Sequence, residues 1–141
     1  MAKMAMKAVL KASANAVWQA VGNFGGVRAF IPVVQSCTVE GKGVGAVRTV
    51  TLDGGAVVTE RLEARDARAR ILTYSILTSP LPLEGYVSTM RVSELPHDRA
   101  ELNWSCTFEP KGASEDECKK IVEGVYTAGF AGLKKLLEAQ P

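Results

Sequence analysis

The last stretch of the chain, Ser114 to Gln140, constrains the fold more than any other. Cys118, Val122, Tyr126, Gly129, Leu133 and Leu137, joined by Ile121, Val125 and Leu136, recur at three- and four-residue spacing. That spacing puts them on one face of a long amphipathic helix. Lys119, Lys120, Glu123, Thr127, Lys134 and Glu138 take the other face. Ser114 stands three residues before Glu117, the spacing of a capping box. Glu115, Asp116 and Glu117 place negative charge at the helix N-terminus, and Lys134 and Lys135 lie near its other end. Gly124, Gly129 and Gly132 interrupt the pattern, and each costs about 1 kcal/mol against alanine in a helix interior. Gly129 and Gly132 lie on or beside the apolar face, where a missing side chain leaves room for a neighbour or a ligand. Gly124 lies away from it.

A helix with one broad apolar face needs a cover, and the preceding residues read as strands. Met4, Met6, Ala8 and Leu10 alternate with Lys3, Lys7 and Lys11, the period of a half-buried strand. The same lysines break any apolar signal-peptide core. Ser13 caps a short helix over Ala14 to Val21, with Val17 and Trp18 inward and Gly22 ending it. Asn23 to Phe30 reads as a second short helix, stopped at Ile31-Pro32. Six strands follow, over Val33 to Val39, Ala46 to Leu52, Val57 to Arg65, Arg70 to Thr78, Tyr86 to Leu95 and Ala100 to Pro110. Turn signals at Gly41 to Gly45, Asp53-Gly54-Gly55, Asp66-Ala67-Arg68 and Pro96-His97-Asp98 separate most of them. Hairpin connections imply an antiparallel sheet, and a sheet apolar on one face needs the C-terminal helix to close it. The expected fold is α+β: a curved seven-stranded antiparallel sheet gripping a long C-terminal helix, with two short helices between the first two strands. Residues 1–141 are expected to form one domain.

Composition narrows the function classes. A net charge of +2 with scattered basic residues gives no basis for nucleic-acid binding. No apolar run approaches a membrane span, and the expected location is the cytoplasm. Cys37, Cys106 and Cys118 lack metal-ligand spacing, and an odd count argues against a disulfide framework. They are expected as buried free thiols. No metal or cofactor is expected.

Regular hairpins would set Arg48 opposite Glu60, Val50 opposite Val58, Glu60 opposite Tyr74, Leu62 opposite Leu72, Met90 opposite Trp104, and Val92 opposite Leu102. Glu60 then sits between Val58 and Leu62 on the inner face, where a carboxylate needs partners. One reading is an ion pair with Arg48 that only fixes the sheet. The other is a polar anchor in a ligand cavity, joined by Tyr74, Tyr86 and Ser88. Phe30, Met90, Trp104, Tyr126, Gly129 and Phe130 are candidate walls. The Ser79 to Gly85 loop, with Leu81 and Leu83 between prolines, is a candidate lid or a surface for a protein partner.

The order Ala14-x-x-Val17-Trp18, Val47-Arg48, Glu60-Arg61-Leu62, Tyr74, Tyr86-x-Ser88, Trp104 and the final helix resembles the SRPBCC superfamily in its polyketide cyclase/dehydrase-like branch. The resemblance implies the helix-grip fold of START domains and the major birch-pollen allergen, with a hydrophobic cavity between sheet and helix. The middle of the chain is also similar to plant abscisic-acid receptors: Phe30-Ile31, Gln35 to Val39, Arg48, Glu60-Arg61-Leu62 and Tyr86-x-Ser88 run in matching order. That likeness implies a polar ligand site at Glu60, Tyr86 and Ser88, a gate at Asp53 to Ala56 and a latch at Leu81-Pro82-Leu83. Gln35 stands where those receptors carry a lysine for the hormone carboxylate. Gly132 falls at about the place of a helix asparagine of that site.

The expected function is binding, transport or sensing of a small hydrophobic molecule with a hydroxyl or carbonyl, by a monomer or weak dimer. The alternative is a cyclase or dehydratase in the same cavity, with Glu60 as general acid or base and Tyr74 or Tyr86 as proton donor.

Overall fold

The computed structural model describes residues 1–138. Seven antiparallel strands form one sheet: β1 (Ala2–Leu10), β2 (Val34–Glu40), β3 (Val47–Leu52), β4 (Val57–Asp66), β5 (Ile71–Thr78), β6 (Leu83–Leu95) and β7 (Arg99–Pro110). Their spatial order is β1-β7-β6-β5-β4-β3-β2. The sequence neighbours β2 to β7 run side by side, as hairpins dictate, and β1 closes onto β7. The sheet curves around the long helix α2 (Glu115–Glu138) in a helix-grip arrangement. The end of the expected helix at Gln140 lies outside the described residues.

Between β1 and β2 stand α1 (Ala14–Val21) and a 3₁₀ turn, Val27–Ala29. Ser13 Oγ accepts from Ala16 N–H, so the expected N-cap forms. The second helix is shorter than Asn23 to Phe30, because Gly25 and Gly26 favour turns and Pro32 blocks extension. Arg65 holds this corner to the sheet. Its Nε donates to the Gly22 carbonyl at 2.8 Å, and its guanidinium lies 4.9 Å from the centre of a Trp18 ring.

Three features differ from the regular-hairpin expectation. Asp66 pairs with Ile71, which leaves residues 67–70, four in all, in the turn. Asp66 Oδ1 accepts from Arg68 N–H and Ala69 N–H, and Arg70 takes a positive φ of 56°. With register shifts at Thr59/Glu60 and Leu62/Ala64, Glu60 faces Ile76 and Leu62 faces Tyr74. The pairs Arg48/Glu60, Val50/Val58, Met90/Trp104 and Val92/Leu102 stand as expected. Second, a bulge between Val34 and Ser36 turns Gln35 outward, and it is exposed. Third, Cys37 is half-buried, unlike Cys106 and Cys118.

The apolar face of α2 buries Cys118, Val122, Tyr126, Gly129, Phe130 and Leu133, each removing apolar area worth about 25 cal/mol per Å² from water. Val125 and Leu136 are exposed at 40% and 43%, so the buried stripe is narrower than the periodicity suggests. At its start, Ser114 Oγ accepts from Glu117 N–H at 3.1 Å and donates to Glu117 Oε1 at 3.0 Å. The capping serine thus holds Glu117 by both its backbone and its side chain. Glu138 Oε2 accepts from Lys11 N–H at 2.6 Å and ties the far end of the helix to the end of β1.

Candidate functional site

Sheet, α2 and the segment after α1 do not close completely. They enclose a cavity of about 150 Å³. Its apolar walls come from β3, β4 and β5 (Val50, Val58, Leu72, Ile76), from α2 (Val122) and from the corner (Phe30). Val33 and Val125 line it while exposed at 43% and 40%, so they stand at its mouth.

Its polar wall is built on neighbouring strands. Arg48 Nε donates to Glu60 Oε1 at 2.7 Å, and their side chains are 6% and 12% exposed. Arg48 Nη1 donates to the Phe24 carbonyl at 2.8 Å. The guanidinium lies between two rings, 4.3 Å from the centre of Phe24 and 4.8 Å from that of Tyr74. Arg48 is therefore fixed in place by charge, hydrogen bond and π-contact together. Among the described residues Glu60 meets Arg48 through one oxygen only, and it lines the cavity. Glu60 is thus both ion-paired with Arg48 and on the cavity wall.

Tyr74, Tyr86, Met90 and Trp104 also line the cavity. Behind them runs a buried hydroxyl network. Tyr86 Oη and Tyr126 Oη are 2.5 Å apart, and Tyr126 Oη and Ser88 Oγ 2.9 Å apart. Ser88 Oγ donates to the Ser105 carbonyl, and Trp104 Nε1 donates to Ser88 Oγ at 3.0 Å and Tyr74 Oη at 3.3 Å. Burial pushes the Tyr74, Tyr86 and Tyr126 phenols above their ordinary range; for Tyr74 the Glu60 charge adds to the rise. All three are neutral hydroxyls at physiological pH.

Of the residues singled out in sequence, the structure brings Arg48, Glu60, Tyr74, Tyr86, Met90, Trp104 and Phe30 to one cavity. Ser88 and Tyr126 lie in the layer behind the wall, bonded to it. Gln35 points outward. Leu83 is buried and lines a separate cleft between the ends of β5 and β6. Gly129 and Phe130 do not line the cavity. A Cβ on Gly129 would lie 2.6 Å from Trp104. Trp104 stacks on Tyr126 with centroids 4.1 Å apart and meets Phe130 edge-on at 5.9 Å. The room at Gly129 is filled by Trp104, and that at Gly132 by the backbone of Phe30.

The loop before β6 contributes Pro80 and Leu81 to the cavity lining. It is anchored from behind: the Pro82 carbonyl accepts from Lys111 N–H at 2.8 Å and from the Cys118 thiol at 3.1 Å. The Asp53-Gly54-Gly55 turn does not line the cavity, although Leu52 at its base does. The sequence reading does not name Val33, Val125 and Pro80 as walls, although Val125 lies on the apolar helix face and Pro80 in the candidate lid; all three line the cavity while exposed.

Residues 1–138 match the family described as polyketide cyclase / dehydrase and lipid transport. The chain is 28% identical over 127 residues to abscisic acid receptor PYL2 of Arabidopsis thaliana, covering 82% of this chain and 67% of the receptor. With receptor PYL6 of the same plant it shares 27% identity, over 92% of this chain and 66% of that one. The chain thus spans about two thirds of the length of these receptors. The solved structure of XoxI from Bacillus cereus superposes with a TM-score of 0.91 at 30% identity, over 97% of this chain and 96% of that one. The Zhui aromatase/cyclase from a Streptomyces species superposes with a TM-score of 0.75 at 19% identity, over 96% and 90%, a likeness of fold alone.

Proposed function

The chain belongs to the polyketide cyclase / dehydrase and lipid transport family, and on that premise we propose that its cavity binds a small, largely apolar molecule. The observation that carries this reading is the join of apolar walls to a fixed Arg48–Glu60 pair with one carboxylate oxygen outside the pair. Small-ligand sites are generally built this way, with a few placed polar groups in an apolar cleft. An apolar cavity of about 150 Å³ holds a ligand of roughly benzene size. A larger one requires the mouth at Val33, Leu81 and Val125 to widen. Arg48 and Glu60 orient the ligand's polar end, with Tyr74 and Tyr86 beside them. The chain works as one cytoplasmic domain, a monomer or weak dimer, in transport or sensing. The Ser79 to Gly85 segment, a loop as far as Pro82 and the start of β6 beyond it, is the surface for a protein partner.

A cyclase or dehydratase in the same cavity is the second reading, supported by the same feature of Glu60: it lines the cavity and is held at one oxygen only. Tyr74 and Tyr86 fit it less well. Burial raises their phenols, and efficient proton transfer wants a group that titrates near the working pH.

Native mass spectrometry of the protein purified from its own host tests the proposal. A co-purifying small molecule, diminished in Glu60→Gln, is the expected result. An empty protein that takes up no small apolar compound overturns it. With the ligand in hand, Glu60→Gln weakens affinity in a binder and abolishes turnover in an enzyme.

A further inference from the structure

Three hydroxyl protons serve three contacts in a row: Tyr86 to Tyr126 at 2.5 Å, Tyr126 to Ser88 at 2.9 Å, and Ser88 to the Ser105 carbonyl at 3.0 Å. Each hydroxyl carries one proton, and a carbonyl carries none. Ser88 therefore donates to Ser105. It has then spent its proton and accepts from Tyr126. Tyr126 in turn has spent its own and accepts from Tyr86. Trp104 N–H fills the second lone pair of Ser88. Only this direction fills all three contacts. Reversing it leaves Ser88 and the Ser105 carbonyl as two acceptors facing each other with no proton between.

Of the three residues in this row, Tyr86 is the one that lines the cavity. Its proton is committed to Tyr126, so it meets a ligand with lone pairs. Glu60 adds a second acceptor through the oxygen outside its pair with Arg48. The remaining donors of the lining, Arg48 and Tyr74, serve an alcohol oxygen and a carbonyl oxygen alike. They do not discriminate, whereas Tyr86 and Glu60 do. A carboxylate would also set a second anion against Glu60 in a low-dielectric site.

Building on the ligand-binding reading above, we infer that the cavity selects an alcohol or phenol over the carbonyl compound of the same shape. Tyr126 and Ser88 set that preference from behind the wall, as positioning residues, by fixing which way the Tyr86 proton points.

The test uses cyclohexanol and cyclohexanone, matched in shape, titrated into the full chain and followed by the methyl resonances of Val50, Val58 and Leu72. Cyclohexanol binds about 10-fold tighter, the value of one hydrogen bond lost and a buried acceptor left bare. In Tyr126→Phe the Tyr86 proton is released, and the preference falls at least about 3-fold, to the remainder that Glu60 alone sets. Ser88→Ala frees the same chain from its other end and gives the same change, so it serves if Tyr126→Phe does not fold. A merely structural role for Tyr126 and Ser88 weakens both ligands by one factor and keeps their ratio, which overturns the assignment. Equal binding of the two compounds to the unmodified protein overturns the selectivity and leaves the binding reading standing. Binding of neither compound overturns both.

Discussion

Gly132 of α2 presses against the Phe30 carbonyl so closely that a Cβ built on it would overlap that oxygen. The contact lets the long helix meet the corner before β2 backbone to backbone. Gly132→Ala must push the two apart, and overpacking of this kind costs about 3 kcal/mol. Gly124 faces open space on the exposed side of the same helix. There alanine gains helix propensity, and Gly124→Ala should stabilise by about 0.5–1 kcal/mol. Urea unfolding of the two variants checks both signs, and a similar loss in each would refute the distinction.

The Arg48–Glu60 pair is asymmetric in what its removal exposes. Arg48→Met leaves a largely buried carboxylate without its cation and should cost about 3 kcal/mol. Glu60→Gln leaves Arg48 with the Phe24 carbonyl and two aromatic rings, and should cost about 1 kcal/mol. Denaturation midpoints at neutral pH rank the two, and the opposite order would show that Arg48 depends on its carboxylate more than Glu60 depends on its cation.

Alkali should unfold this protein through its tyrosines. Tyr74, Tyr86 and Tyr126 are held above their usual value of 10.0 by burial. Below that pH all three are neutral in both states and their stabilisation is fully present. As pH rises beyond it, the unfolded chain ionises first, and stability falls by about 1.4 kcal/mol per pH unit for each tyrosine. Tyrosinate absorbance should appear together with the loss of far-ultraviolet circular dichroism. Full titration before any structural loss would contradict this.

Filling the cavity should separate fold from binding. Val50→Phe projects from β3 into the empty volume, so its ring has room and stability should change by less than about 1.5 kcal/mol. Uptake of cyclohexanol should disappear. Retained binding would place the ligand elsewhere.

Much of this was legible in the chain because local chemistry agreed with the fold. Ser13, Ser114, Gly22 and Asp53-Gly54-Gly55 each mark the end or turn they were expected to mark. The Arg48/Glu60 and Met90/Trp104 pairs followed from turn lengths alone. Register failed where the chain spends an extra residue. The four-residue turn after Asp66 and the bulges in β4 leave no composition signal, and they moved Tyr74 from Glu60 to Leu62. The bulge at Val34/Ser36 likewise turned Gln35 out of the site. For Gly129 the sequence leaves a neighbour or a ligand open, because an absent side chain has the same spelling in both cases; Trp104 fills the space. The cavity mouth was not legible because periodicity puts Val125 on the apolar helix face without showing that this part of the face is left uncovered, and Val33 is exposed beside it.

The chain's two tryptophans divide the molecule optically. Trp18 lies under the Arg65 guanidinium on the corner helix, away from the cavity lining. Trp104 lines the cavity, with its indole N–H held by Ser88 and Tyr74 and its ring stacked on Tyr126. A guest that enters changes the dielectric around one indole and leaves the other as an internal standard. The protein thus carries its own emission gauge of occupancy, and Trp18→Phe would isolate it without dye or label.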